Sequence, residues 1–113
     1  MDILVILEDN HGSLHRMSKE AIVAAQKIGG SISAIIIGEN SLKIADQLCE
    51  INIYEVITVN HDLVKYYNAD GYTEVLKQII ESDKPKIIIS GHTYQARDYI
   101  PRISAKLNIP FIP

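Results

Sequence analysis

Four short aliphatic runs, Ile3 to Leu7, Ile32 to Ile37, Val56 to Val59 and Ile87 to Ile89, constrain this chain more than any other feature. Three of them are nearly continuous in Ile, Leu and Val, the pattern of strands covered on both faces. The intervals between them are too long for tight hairpins and carry helical periodicity instead. Met17, Ala21, Ala24, Ala25 and Ile28 fall on one helical face before a stop at Gly29-Gly30. Leu42, Ala45, Leu48 and Cys49 do the same after Ser41, read as an N-cap. Tyr72, Val75, Leu76, Ile79 and Ile80 follow the i, i+3, i+4, i+7, i+8 template, ended by Ser82-Asp83-Lys84-Pro85. A last helix is expected from about Tyr99 to Leu107, and Ile109-Pro110-Phe111-Ile112 reads as the start of another strand. Strand and helix alternating in this way predict an α/β fold: a three-layer, open parallel sheet flanked by helices, Rossmann-like.

At 113 residues the chain has the size of one domain. An apolar fraction of 47% with 22% charged residues argues against disorder. The net charge of −3 offers no electrostatic footprint for nucleic acid. Cys49 is the only cysteine, so no internal disulfide forms. The opening Met1-Asp2-Ile3-Leu4 lacks a basic leader, and no apolar stretch approaches the ~20 residues of a membrane span. A cytoplasmic protein without membrane insertion is expected. The last residues, Phe111-Ile112-Pro113, are apolar where a terminus is usually polar, and the expectation is an incomplete domain of a longer protein.

Open parallel sheets bind ligands at the carboxyl ends of their strands, where strand order reverses. The residues to weigh are therefore Glu8, Asp9, Asn10, His11 and Gly12 after the first run, and Ser90 through Asp98 after the fourth. If those two strands are neighbours, the loops form the lips of one crevice. Gly91 permits close backbone approach or positive φ, Ser90 and Thr93 supply hydroxyls, and Arg97 supplies a fork of donors. Asp98 is a candidate cap for the last helix, placing Pro101 in its first turn. The candidate ligand crevice is thus Glu8, Asp9, Ser90, Gly91, His92, Thr93 and Arg97. Its single glycine falls short of a phosphate-cradling fingerprint.

Other constellations carry less. His11 and His15 are four apart, but Asn10-His11-Gly12 is a turn sequence, so the imidazoles do not share a helix face, and no metal site is expected. No residue pair places a nucleophile against a base, and no catalytic residue is assigned. Cys49 reads as a small core hydrophobe. Tyr66-Tyr67 suits surface, packing or a partner contact, and Arg102 with Lys106, one turn apart, suits a solvated helix face.

The succession of motifs resembles the N-terminal domain of the electron transfer flavoprotein alpha subunit. The opening strand, Glu8, Gly12, Leu14 and a helix ending Lys27-Ile28-Gly29-Gly30 look like that family's first βα unit. Tyr54 to Val59 resembles its third strand. The closest likeness is Pro85 to Thr93, followed by Arg97-Asp98 and Pro101-Arg102-Ile103-Ser104-Ala105. The likeness runs in order over essentially the whole chain, through motifs that are individually loose.

The resemblance implies the adenine-nucleotide-hydrolase-like fold, shared with the family's beta subunit and the universal stress proteins. It implies an FAD-containing heterodimer that carries electrons from dehydrogenases to an acceptor. It also implies that FAD sits chiefly in a C-terminal domain outside these residues, so that no cofactor binds within this segment. Residues 1–113 would then be an N-terminal scaffold domain of a longer alpha subunit, with the beta subunit and dehydrogenases as partners. The alternative is a stand-alone universal-stress-type module binding ATP or AMP between Glu8-Asp9 and Ser90-Arg97, although that type favours a richer glycine pattern. A homo-oligomer of the isolated chain is a further possibility.

Overall fold

In the computed structural model, which describes residues 1–112, the chain opens with β1 (Ile3–Leu7), a small antiparallel hairpin of β2 (Asp9–Asn10) and β3 (Ser13–Leu14), and α1 (Arg16–Ile28). It continues through β4 (Ile32–Ile37), α2 (Ser41–Gln47), β5 (Glu55–Val59), a 3₁₀ turn at Asp62–Val64, α3 (Ala69–Asp83), β6 (Ile87–Ser90) and α4 (Tyr94–Leu107). β1, β4, β5 and β6 form one parallel sheet in the order β5-β4-β1-β6. The α/β, Rossmann-like class read from the alternation is the one observed.

The two most continuous aliphatic runs take the two central positions, where every residue of β1 and β4 is buried. Successive side chains of a strand point to opposite faces, and they divide the core accordingly. Ile3, Val5, Leu7, Ala34 and Ile36 pack with Ala21, Ile22, Ala25, Ile44 and Leu48 of the α1–α2 side. Leu4, Ile6, Ile35 and Ile37 pack with Leu76, Ile80, Ala96, Tyr99 and Ile103 of the α3–α4 side. Each buried aliphatic side chain contributes about 1.5–3 kcal/mol, so the middle of the sheet anchors both helical layers.

Several helix details differ from the sequence reading. On α1 the buried stripe is Ser18, Ala21, Ile22 and Ala25, leaving Ala24 and Ile28 exposed. On α2 it is Ser41, Ile44 and Leu48, so Leu42 lies exposed and Cys49 is a surface residue just past the helix, not a core hydrophobe. Ser41 is the first residue of α2 rather than its cap, and Asn40 precedes it without a side-chain cap bond. α4 begins at Tyr94, not near Tyr99. Thr93 is its N-cap, Asp98 lies within it, and Pro101 is an interior residue. The burial of Ala96, Tyr99 and Ile103 on one face carries the helix through the proline. Ile109 to Ile112 forms no strand: Pro110 lacks an N–H, and the Ile109 amide donates to the Ser104 carbonyl, closing the end of α4.

Candidate functional site

The chain builds outward from β1 to β4 and β5, then returns to lay β6 on the other side of β1. Strand order therefore reverses between β1 and β6, and the loops after them face each other. Between them lies a cleft of about 540 Å³ lined by Glu8, His15, His92, Thr93, Tyr94, Gln95 and Arg97.

Bonds within the protein engage Glu8, His15 and Thr93 at the mouth of this cleft. The Thr93 hydroxyl donates to Glu8 Oε1 at 2.6 Å, joining residues 85 apart in sequence. Thr93 Oγ1 also accepts the Ala96 amide at 3.1 Å, so the residue bridging the lips is the cap of α4. The Glu8 amide donates to Ser18 Oγ of α1 at 2.8 Å. His15, the N-cap of α1, accepts the Met17 amide at Nδ1 at 3.0 Å, and its Nε2 lies 3.9 Å from Glu8 Oε2. Asp9 is spent on structure, Oδ1 accepting the Gly12 amide at 2.6 Å and Oδ2 the Asn40 side-chain amide at 2.8 Å.

Gly91 is required by a close approach and not by positive φ. A Cβ there would lie 2.7 Å from Met17 Cβ, 3.0 Å from the Met17 carbonyl carbon and 3.1 Å from its oxygen. The first turn of α1 thus fills the space that a phosphate-cradling glycine keeps open. Ser90 Oγ donates to the adjacent Gly91 carbonyl at 3.2 Å. His92 and Arg97 are exposed, and the Arg97 guanidinium stands 6.0 Å from the ring centre of Tyr94, itself almost fully exposed. The structure brings Glu8 and Thr93 together, leaves His92 and Arg97 on the rim, and turns Asp9 away into its hairpin.

Sequence reasoning missed an aromatic cluster beside the crevice. Tyr67 meets Tyr72 edge-on with ring centres 4.8 Å apart, and Tyr99 stands 6.4 Å and 6.1 Å from them. The Tyr67 hydroxyl donates to Asp98 Oδ2 at 2.7 Å, and the Tyr72 hydroxyl donates to the Ile37 carbonyl at 3.0 Å. Burial pushes the Tyr72 hydroxyl up to about 12, with the negative charges of Glu8 and Asp9 adding to the effect. Tyr99 and Tyr67 are raised further, each chiefly by burial, Tyr99 next by Glu8 and Tyr67 by its bond to Asp98. The place of Tyr72 in a helical stripe was visible in sequence, but its convergence with Tyr67 and Tyr99 needed the sheet.

His11 sits in the β2–β3 turn at φ 53 and His15 caps α1, so the two imidazoles do not share a helix face. Arg102 lies half exposed between Asp98 (3.4 Å) and Asp70 (3.7 Å), on a solvated helix face. No helix among the described residues is long and apolar enough to cross a membrane.

The profile of the family described as "Electron transfer flavoprotein domain" matches residues 3–113. The chain belongs to the electron transfer flavoprotein family. It is 34% identical over 112 residues to the electron transfer flavoprotein subunit alpha of Bacillus subtilis (strain 168), covering 97% of this chain and 34% of that protein. The alpha subunit of Clostridium acetobutylicum is 29% identical over 110 residues, covering 94% and 33%. The acryloyl-CoA reductase electron transfer subunit beta of Anaerotignum propionicum is 32% identical over 111 residues, covering 95% and 30%. The chain spans about a third of the length of these relatives, and it has the character of an alpha-subunit N-terminal domain.

Proposed function

We propose that the chain is the scaffold portion of an electron transfer flavoprotein alpha subunit, supporting an FAD-containing carrier between dehydrogenases and an acceptor while performing no chemistry itself. Within the intact subunit it packs against a flavin-binding region downstream and against a beta-type partner. The observation that carries this reading is the bonded crevice, in which Thr93 and Glu8 join at 2.6 Å across the switch point. A dinucleotide there would have to displace the cap of α4, meet the carboxylate of Glu8, and find Met17 where its pyrophosphate needs room. The residues present do not fit FAD, so no electron-transfer step is assigned to them.

Calorimetric titration with FAD, AMP and ATP tests the assignment. No heat at millimolar concentration is the expected result for all three. Saturable binding of AMP or ATP would instead establish a nucleotide module of the universal-stress type, and binding of FAD would put the flavin within these residues. The coding sequence beyond Pro113 is a companion test, with a flavin-binding region expected. A stop codon there, with no flavoprotein partner encoded nearby, would overturn the scaffold reading.

A further inference from the structure

Large apolar side chains left in water are ordinary when scattered, and informative when they gather with basic groups on a rigid frame. Beyond the carboxyl ends of β5 and β6, Tyr94, Leu63 and Tyr66 are 89%, 75% and 71% exposed. Tyr94 opens α4, whereas Leu63 and Tyr66 stand on the connection between β5 and α3. Tyr67 draws the two elements together, its hydroxyl donating to Asp98 Oδ2 at 2.7 Å with the Gln95 carbonyl 3.4 Å away.

The connection is held in shape by its own bonds. Val64 is buried in the core on the α3–α4 side, and the Leu63 amide donates to His61 Nδ1 at 3.0 Å. Asn68, the cap of α3, donates from Nδ2 to the Leu63 carbonyl at 2.7 Å while its Oδ1 accepts the Gly71 amide at 2.7 Å. Val64 and Tyr67 thus pin the loop, and Leu63 and Tyr66 are presented to solvent on it. A loop already ordered loses little entropy when it is bound. Cations stand over both exposed rings: Arg97 lies 6.0 Å from the centre of Tyr94, and Lys65 Nζ lies 5.5 Å from that of Tyr66. Lys65 also faces Glu39 at 3.8 Å, whereas Arg97 has no carboxylate at ion-pairing distance among the described residues. The nearby Glu8 and Asp98 are engaged by Thr93 and by Tyr67 with Arg102.

We propose that Tyr94, Arg97, Tyr66 and Leu63 form the surface on which a separate beta-type subunit docks, its own carboxylate meeting Arg97 beside apolar hollows for the two rings and Leu63. The proposal rests on the scaffold reading above and adds where the partner sits. Tyrosine and arginine are the side chains that most often carry an interface, and a guanidinium fork without an acid favours a partner that brings one.

Calorimetric titration of the full chain with the purified beta-type subunit of the same source tests the surface. Tyr94→Ala and Arg97→Glu are each expected to raise Kd about tenfold or more. Tyr54→Ala removes a ring of similar exposure just before β5, at the other end of the sheet, and should leave Kd unchanged. Circular dichroism checks that each variant folds, and Arg97→Gln replaces Arg97→Glu if the latter does not. Equal affinity in the parent chain and in both surface variants would overturn this surface while leaving the scaffold reading in place. No binding by the parent chain would count against the scaffold reading and overturn the proposal with it. Sedimentation of the parent chain alone should show a monomer. A dimer that Tyr94→Ala disperses would give the face to a second copy and overturn the proposal.

Discussion

The crevice at the carboxyl ends of β1 and β6 and the outer edge of β6 lie at neighbouring parts of one sheet, yet they treat their exposed groups in opposite ways. The crevice is polar, and part of its polar groups are paired within the protein: Glu8 with Thr93 and Ser18, Asp9 with Gly12 and Asn40, Thr93 with Ala96. His92 and Arg97 stand exposed on its rim. The β6 edge is apolar and has no strand partner among the described residues. Ile87 is 41% exposed, Ile88 and Ile89 are half-buried, and a groove of about 600 Å³ runs past them to Ile109 and Phe111. At the switch point the Thr93 hydroxyl and the Glu8 carboxylate satisfy each other. An uncapped apolar edge leaves more unfinished surface than a polar cleft that has closed on itself.

Substitutions on the two sides should separate them. The largest effect is expected for Gly91→Ala, where the added methyl meets the Met17 main chain and not a yielding side-chain tip. A loss of about 3 kcal/mol in urea unfolding is the expected outcome. A cost under about 1 kcal/mol would mean that α1 shifts freely and that the crevice is looser than its bonds imply. Thr93→Val keeps the shape but removes the bridge, leaving the Ala96 amide and Glu8 without their partner, and should cost about 2 kcal/mol. Combining it with Glu8→Gln should cost less than the sum, since both remove the same contact. The smallest effect belongs to the edge. Ile87→Ala should lower stability by less than about 1 kcal/mol because the side chain is already partly in water. A larger loss there would show that the edge is packed as firmly as the crevice and would erase the contrast.

The four strands of the parallel sheet were legible almost residue for residue, because a run such as Ile32 to Ile37 has no polar face to offer a surface helix or strand. The β2–β3 hairpin was not foreseen, and the strand expected at Ile109 to Ile112 does not form. Helix existence was legible too, but helix ends and faces were less so. The start of α4 was misjudged because Pro101 was taken as a first-turn marker, while Thr93 capping Ala96 and the burial of Tyr99 and Ile103 outweigh the proline's local preference. Cys49 and Leu42 were assigned to the core of α2, whose stripe instead runs through Ser41, Ile44 and Leu48. A helix this short has too few turns for periodicity to choose between adjacent faces. At the crevice, sequence identified Glu8, Gly91 and Thr93 as worth weighing, but not His15 as a cap or Tyr67 as a partner of Asp98.

By itself, the sequence determined the α/β class, the family and the pair of loops at which a ligand site would have to lie. Those follow from local patterns: continuous aliphatic runs, helical spacing, and the order of short motifs along the chain. Only the tertiary structure decided what the loops do with their polar groups. Glu8 and Thr93 are 85 residues apart, and Gly91 meets Met17 only because β6 returns to the side of β1. A hydroxyl reads the same in sequence whether it waits for a phosphate or already holds a carboxylate. The difference lies in which groups the sheet brings within hydrogen-bonding distance of it.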